Sequence, residues 1–164
     1  LNQQSSNVRR KALDICSDYT GTRDEDKMQF IYAYLQAQVE LDTQATALEQ
    51  EQQGMQPKTS EYTAYGALLA GKAAQSGIVL AAKVLCDQLE MDSKVICGLL
   101  DGQLYSWLYV HSDEDGWVFF DPTSDIETQD DQGNSVPVYI FSLEQGAVRY
   151  VWNEKVYKEI TINA

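Results

Sequence analysis

The hydrophobic pattern of the chain changes after Asp92, and this change constrains the fold more than any other feature. Before Asp92, apolar residues recur at helical spacing, most clearly over residues 22–41. After it, apolar and polar residues alternate in short runs separated by turn signals such as Asp101-Gly102. Helices followed by antiparallel strands are typical of an α+β domain. The sequence therefore predicts N-terminal helices packed on an antiparallel β-sheet.

Helices are predicted over residues 8–19, 22–41 and 75–90. Thr22 is placed to cap the second helix, whose first turn carries three acidic residues, where the helix dipole favours negative charge. That helix has one core-facing stripe, formed by Met28, Ile31, Leu35 and Val39. Residues 42–60 are rich in Gln, Glu and Thr and are predicted to form a loop with some helix.

Three strands are predicted to follow, over residues 94–100, 103–111 and 117–121. The second hairpin is expected to close with His111 opposite Trp117. Because side chains along a strand repeat every second residue, this register places the end of the third strand beside the start of the second. The register therefore decides which polar side chains can meet.

The C-terminal part of the chain is predicted to add further strands within residues 136–162. The candidates are residues 138–141, 147–151 and 156–162, each with apolar or β-branched side chains. They follow an acidic, Gly-containing loop at 130–135.

The acidic composition excludes some classes of partner. The net charge is −13 and the isoelectric point is about 4.3. Such a surface repels phosphate, which argues against nucleic acid and anionic lipid as partners. No stretch approaches the roughly 20 apolar residues of a membrane helix. We expect an extracellular or cell-surface protein, although acidic cytoplasmic proteins are common as well.

The cysteine and histidine content argues against a metal site or a cofactor. The chain has three cysteines, Cys16, Cys86 and Cys97, and one histidine, His111, without a CxxC or a Cys/His cluster. The short acidic runs lack the spacing of a calcium-binding loop. Cys86 and Cys97 are expected to be inert thiols in the core, and His111 a residue at the edge of a loop.

Three sequence blocks in the middle of the chain carry a resemblance to a known family. Residues 64–77 read AYGALLAGKAAQSG, residues 105–110 read YSWLYV after Gly98, and residues 116–123 read GWVFFDPT. In this order and spacing the blocks resemble the transglutaminase-like superfamily of papain-like cysteine enzymes. In that family a Cys opens the helix of the first block, a His lies in the second, and an Asp lies in the third.

The resemblance covers about residues 24–125, and the C-terminal strands match only loosely. No linker or internal repeat divides the chain, so residues 1–164 are expected to form a single domain. The fold that the resemblance implies, a transglutaminase-like or papain-like core, is again an α+β fold. The hydrophobic pattern and the resemblance therefore imply the same fold class.

The resemblance implies that two of the three catalytic side chains are replaced. The resemblance places the Cys position at Gln75, the His position at Tyr105 and the Asp position at Asp121. Family chemistry needs a thiolate, an imidazole base and an Asp that orients it. A glutamine has no nucleophilic atom, and a tyrosine with an ordinary pKa of about 10 is a poor base. We therefore interpret these as vestigial positions without catalysis.

The sequence is compatible with three hypotheses on function. The first is an inactive binding or scaffolding module whose groove takes a peptide, a protein or a cell-wall fragment. Candidate groove residues are Gln75, Ser76, Tyr105, Trp107 and Asp121. The second is a purely structural module in which the groove is blocked. The third is an active cysteine protease, amidase or cross-linking enzyme, which the family resemblance alone supports.

Overall fold

The computed structural model describes residues 3–52 and 59–162. Its helices are α1 (Gln3–Cys16), α2 (Asp24–Gln38), α3 (Thr43–Glu51), α4 (Gln75–Gln88) and α5 (Leu143–Gly146). Its strands are β1 (Glu40–Leu41), β2 (Lys72–Ala73), β3 (Ser93–Leu100), β4 (Gln103–Ser112), β5 (Gly116–Phe120), β6 (Glu127–Gln129), β7 (Ser135–Pro137), β8 (Ile140–Phe141) and β9 (Tyr150–Val151). Short 3₁₀ and π segments at Ser60–Tyr62 and Gly66–Ala70 lead into β2.

The main sheet has five antiparallel strands in the order β8-β5-β4-β3-β9. Strands β1 and β2 form a small parallel pair, and β6 and β7 form a separate hairpin. His111 is opposite Trp117 and Tyr109 is opposite Phe119, so the predicted register of the second hairpin is confirmed. The Asp101-Gly102 turn has positive φ at both residues, 51° and 81°, as a two-residue hairpin turn requires.

A hydrophobic core lies on each face of the sheet. One face carries Leu108, Val110 and Phe120 and packs against α1, α2 and α4. The other face carries an aromatic cluster that includes Trp107 and Phe119, both fully buried. Apolar burial on both faces supplies the main driving force for the assembly. The architecture confirms the predicted α+β class with helices on an antiparallel sheet.

Helix α4 is the central helix and begins beside the main chain of the segment before it. A Cβ atom at Gly77, in the first turn, would lie 2.9 Å from the Glu61 carbonyl oxygen and 3.0 Å from that of Thr63. Only glycine permits this approach. Gly77 therefore fixes where the helix start lies relative to the rest of the domain.

Several predicted boundaries in the first half of the chain are wrong. Helix α1 begins at Gln3 rather than at residue 8. Helix α2 begins at Asp24 rather than at residue 22, and the side chain of its N-cap residue, Arg23, makes no hydrogen bond to the helix backbone. The predicted loop 42–60 contains the helix α3, whose N-cap Asp42 accepts from the Ala45 N–H at 2.9 Å. Residues 53–58 of that loop lie outside the described residues.

The C-terminal prediction is correct only in part. The loop 130–135 forms the turn of the unpredicted β6–β7 hairpin, and residues 147–151 contain β9. Residues 156–162 do not form a strand. They fold into turns that bury Ile160 completely, with the indole N–H of Trp152 donating to its carbonyl at 3.4 Å. Burial of Ile160, a hydrogen bond from the Cys97 N–H to the Tyr157 hydroxyl and an ion pair between Lys94 and Glu159 hold this segment without strand pairing.

Candidate functional site

Gln75 is the first residue of α4 and is 3% exposed. Its backbone N–H, one of the unpaired donors at a helix start, donates to Thr46 Oγ1 of α3 at 3.0 Å. The N-cap Ala74 contributes no side-chain bond. The helix start is thus closed by a side chain from the neighbouring helix.

The carboxamide of Gln75 pairs with the main chain of β4. Its Oε1 accepts from the Ser106 N–H at 3.0 Å, and its Nε2 donates to the Ser106 carbonyl oxygen at 2.6 Å. The register pair of β4 and β5 nearest to Ser106 is Leu108 with Phe120, and Leu108 lies two residues after Ser106 along β4. Beyond that pair, the amide of Gln75 provides the reciprocal bonds that a strand residue would provide.

Thr123 connects Gln75 to Tyr105. The Gln75 Nε2 also donates to Thr123 Oγ1 at 3.1 Å, and that hydroxyl lies 2.7 Å from the hydroxyl of Tyr105. Burial raises the pKa of Tyr105, and the charge of Asp121 raises it further. A phenol with a raised pKa stays protonated at neutral pH, so Tyr105 is a hydrogen-bond donor here and not a base.

Asp121 is the centre of the polar network and is 1% exposed. Tyr105 donates to its two carboxylate oxygens at 3.0 and 2.9 Å, and Tyr150 donates to Oδ2 at 2.6 Å. The Thr123 N–H donates to Oδ1 at 3.0 Å. Burial raises the pKa of Asp121, and these bonds oppose that rise. The carboxylate is satisfied by neutral donors, without a cation among the described residues.

The predicted groove residues do not line one open groove. Gln75, Trp107 and Asp121 are buried. Trp107 belongs to the aromatic cluster, 5.0 Å from the ring of Tyr150 and 5.6 Å from that of Phe119. Ser76 is half-buried, and its hydroxyl donates to Glu49 of α3. The structure brings Gln75, Tyr105 and Asp121 into one network and leaves Ser76 and Trp107 outside it.

The network includes residues that the sequence did not indicate. Ser106 contributes only backbone atoms, which any residue type could supply. Tyr150 reaches the site from β9, 29 positions after Asp121. Thr123 belongs to the third sequence block, two residues after Asp121, so the sequence indicated that it lies near the site. Its bond to Gln75 was not foreseeable from spacing.

No thiol among the described residues bonds to Gln75, Tyr105 or Asp121. Cys16 and Cys86 are buried, and burial raises the pKa of Cys86 to about 12. Cys97 is exposed, so the prediction of a core position for it was wrong; Ile96 is the one buried residue of β3, and the strand is otherwise half-buried or exposed. Cys97 is opposite Ser106, five positions along β4 from His111, or about 17 Å. The thiol and the imidazole are too far apart to form a dyad.

The described residues contain no group of three or more His, Cys, Asp or Glu side chains that could hold a metal ion. Within the same residues, no helix is long and apolar enough to cross a bilayer. His111 is half-buried at the end of β4, with its ring edge-on to Trp117 at 5.3 Å.

Two solved structures are similar to this chain. A crystal structure described as that of a TGase covers 80% of the chain, with a TM-score of 0.58 and 16% sequence identity. A proposed cysteine protease from Cytophaga hutchinsonii covers 91% of the chain, with a TM-score of 0.54 and 13% identity. The chain has a transglutaminase-like fold. No protein-family model and no curated protein matches the sequence.

The chain spans only 34% and 47% of the length of these two proteins. At these identities the likeness establishes the transglutaminase-like, papain-like fold and nothing about activity. The fold that the three sequence blocks implied is therefore confirmed. Chemically, the site consists of an amide, two phenols, a threonine hydroxyl and a buried carboxylate. It can fix a helix against a sheet through hydrogen bonds, and it contains no thiol and no imidazole.

Proposed function

We propose that this transglutaminase-like domain is catalytically inactive and serves as a binding or scaffolding module. The observation that carries the proposal is the pairing of the Gln75 carboxamide with both backbone groups of Ser106. The position that a nucleophile would need to occupy is filled by a buried amide whose oxygen and nitrogen are both bonded. The second and third positions hold a protonated phenol and a carboxylate that already accepts several hydrogen bonds.

Because Gln75 and Asp121 are buried and hydrogen-bonded, a scaffolding role for the network is favoured over a ligand groove at Gln75 itself. Buried polar networks with every member satisfied make a packing arrangement specific, because each alternative leaves polar atoms unpaired. A peptide or cell-wall fragment would have to displace bonds around Gln75 and Asp121 to reach them. We therefore place ligand or partner contacts on surfaces beside the network. A secreted or surface-displayed location remains part of the proposal, supported by the acidic composition.

The alternative, an active cysteine-type enzyme, has one thiol to draw on. Cys97 is exposed and lies opposite Ser106, with its Sγ 3.7 Å from the serine hydroxyl. It has no imidazole within reach and does not stand at a helix start, where the dipole would stabilise a thiolate. Alkylation of this thiol would show exposure and would not by itself indicate catalysis.

The variant Gln75→Ala separates a structural from a catalytic role. It leaves the Ser106 N–H and carbonyl oxygen without their partner, so we expect the free energy of unfolding to fall by about 2–4 kcal/mol in a urea titration. Gln88→Ala, at the exposed end of the same helix, is the control and should cost below about 0.5 kcal/mol. Amidase and cross-linking assays should give only background rates for the wild type and both variants.

A thiol-dependent rate in the wild type that is lost in Gln75→Ala, while the variant stays folded, would overturn the proposal. A rate lost in Cys97→Ser would do so as well and would point to the exposed thiol. Both assays use general amide and glutamine substrates, because the proposal names no substrate.

A further inference from the structure

A cavity of about 430 Å³ lies beside the buried network. Thr123, which bonds to both Gln75 and Tyr105, is part of its wall. The side chains that matter for its chemistry are Tyr32, Leu35, Val39, Ile78, Asp125 and Glu127. The cavity thus combines apolar walls from α2 and α4 with two carboxylates from the segment after β5. Its size suits one long side chain or a small organic group.

The wall of this cavity is negatively charged, although Asp125 also acts on Arg149, whose guanidinium bonds to Asp101 outside the lining. None of its lining residues is Lys, Arg or His. Asp125 and Glu127 are exposed, and neither takes part in an ion pair with another described residue. Asp121 lies just behind, buried and without a cation. Burial raises the pKa of Tyr32, and the charges of Asp121 and Glu127 add to that rise. A cation is the electrostatic complement of this cavity.

The chemistry of the lining favours an organic cation over a metal ion. No metal-binding group of acidic side chains exists among the described residues, and the apolar walls offer nothing to a hydrated ion. An aromatic ring stands beside the carboxylates: Tyr32 lines the cavity while it is stacked on Tyr139, with centroids 4.0 Å apart and planes 10° apart. The apolar walls of the cavity match an alkyl chain, and its aromatic ring and carboxylates match a guanidinium at the end of that chain.

We propose that this cavity binds an arginine side chain from a partner protein. The alkyl stem packs on Leu35, Val39 and Ile78, and the guanidinium lies between Tyr32 and the carboxylates of the 125–127 segment. Arginine fits better than lysine because its planar group is more weakly hydrated, stacks on aromatic rings and bonds to carboxylates in a forked geometry. The inference deepens the proposed binding role and rests on it.

The experiment titrates the ¹⁵N-labelled full chain with an acetylated, amidated Gly-Ala-Arg-Ala-Gly peptide and follows amide shifts. The expected result is saturable shifts confined to residues around the cavity, in α2 and in 123–127. The same peptide with citrulline, which keeps the shape of arginine without its charge, should bind at least about five-fold more weakly. A lysine peptide should fall between the two.

Variants test where the charge acts. Asp125→Asn and Glu127→Gln should each weaken binding by about two- to five-fold, because both carboxylates are exposed and screened by water. Asp131→Asn, an exposed acid on the β6–β7 turn outside the lining, is the matched control and should change binding less than either. The control separates local recognition from the general attraction of a cation to a chain of net charge −13.

Three results would overturn the inference: no saturable shifts near the cavity, equal binding of the citrulline peptide, or equal weakening by Asp131→Asn. Binding of lysine as tight as that of arginine would overturn the guanidinium assignment. None of these results affects the proposed structural role of Gln75, which is tested separately by the stability and activity of Gln75→Ala. Failure of the arginine site is therefore distinguishable from failure of the inactive-domain proposal.

Discussion

At the scale of single residues, Gln75 gives Ser106 the two hydrogen bonds that a neighbouring strand would give. This follows from the geometry of β5, which stops pairing with β4 at Phe120 and leaves the next outward-facing backbone groups of β4 without a strand partner. A carboxamide has the same donor and acceptor as a peptide unit, so it can close the gap. A cysteine at this position could not, because its side chain lacks a second polar atom.

The proximity of Gln75, Tyr105 and Asp121 could be predicted from sequence, but their contacts could not. Motif anchors placed Gln75, Tyr105 and Asp121, and the structure joins all three in one network. The link through Thr123 and the bond from Tyr150 depend on how β9 and the segment after β5 pack, and neither packing leaves a periodic signal in the sequence. Local patterns predict elements, and side-chain bonds over long sequence distances depend on tertiary structure.

Asp121 makes the stability of the domain depend on pH. Because its folded pKa is raised by burial, the folded state binds the proton more tightly than the unfolded state. The stabilisation from this group is present below the ordinary carboxyl pKa of about 4, and it is lost as pH rises through the raised folded value. Asp121→Asn removes this titration. We expect the stability advantage of the wild type over the variant to shrink as pH rises from about 4 to 8.

Urea titrations of both proteins at several pH values measure this difference directly. Asp131→Asn, on an exposed turn, gives the background change that comes from altered net charge. A wild-type advantage that stays constant or grows with pH would show that the hydrogen bonds to Asp121 outweigh its burial.

At the scale of elements, the start of α2 is stabilised by a residue far away in sequence. The Glu114 carboxylate, in the β4–β5 turn, accepts from the N–H groups of Glu25 at 2.9 Å and Asp24 at 3.4 Å. Asp24 in turn accepts from the Asp113 N–H at 2.7 Å. The turn and the helix start thus bond to each other's backbone N–H groups, and these hydrogen bonds join the helical layer to the sheet. Thr22, predicted as the cap, lies before the helix begins.

Glu114→Ala should therefore destabilise the domain although the residue is exposed. The loss of two hydrogen bonds at a helix start, together with a favourable charge near the dipole, predicts a decrease of about 0.5–1 kcal/mol in the free energy of unfolding. Asp115→Ala in the same turn makes no such contact and should leave the stability unchanged within error, as should Thr22→Ala. Equal effects at the two acidic positions would show that net charge, not capping, is responsible.

The sequence predicted the long elements well and the short ones poorly, for a physical reason. Helices α2 and α4 and strands β3, β4 and β5 each carry several apolar side chains at regular spacing, which is the signal that periodicity detects. Strands β8 and β9 have two residues each, too few for a period. Helix α3 is mostly polar and contributes one buried side chain, Ala45. Its start is marked by the Asp42 cap, and polar bonds to Gln75 and Ser76 hold it on α4.

At the scale of the whole molecule, the transglutaminase-like fold brings the start of α4, strand β4 and Asp121 together in one buried network. Under the proposed function, Gln75, Tyr105 and Asp121 stand at the nucleophile, base and orienting positions of a cysteine enzyme. The proposal therefore predicts that restoring two side chains restores a reactive thiol. The relevant variant is Gln75→Cys with Tyr105→His, in a Cys97→Ser background that removes the exposed native thiol, so that alkylation reports on the introduced one.

The decisive measurement is the pH dependence of iodoacetamide alkylation of that introduced thiol, in protein shown to be folded by circular dichroism. If Gln75 and Tyr105 stand at the nucleophile and base positions, the helix dipole and the nearby imidazolium will lower the thiol pKa below its free value of about 8.5. The variant that keeps Tyr105 should show a smaller decrease. A thiol pKa at or above about 8.5 in the folded double variant would contradict the account.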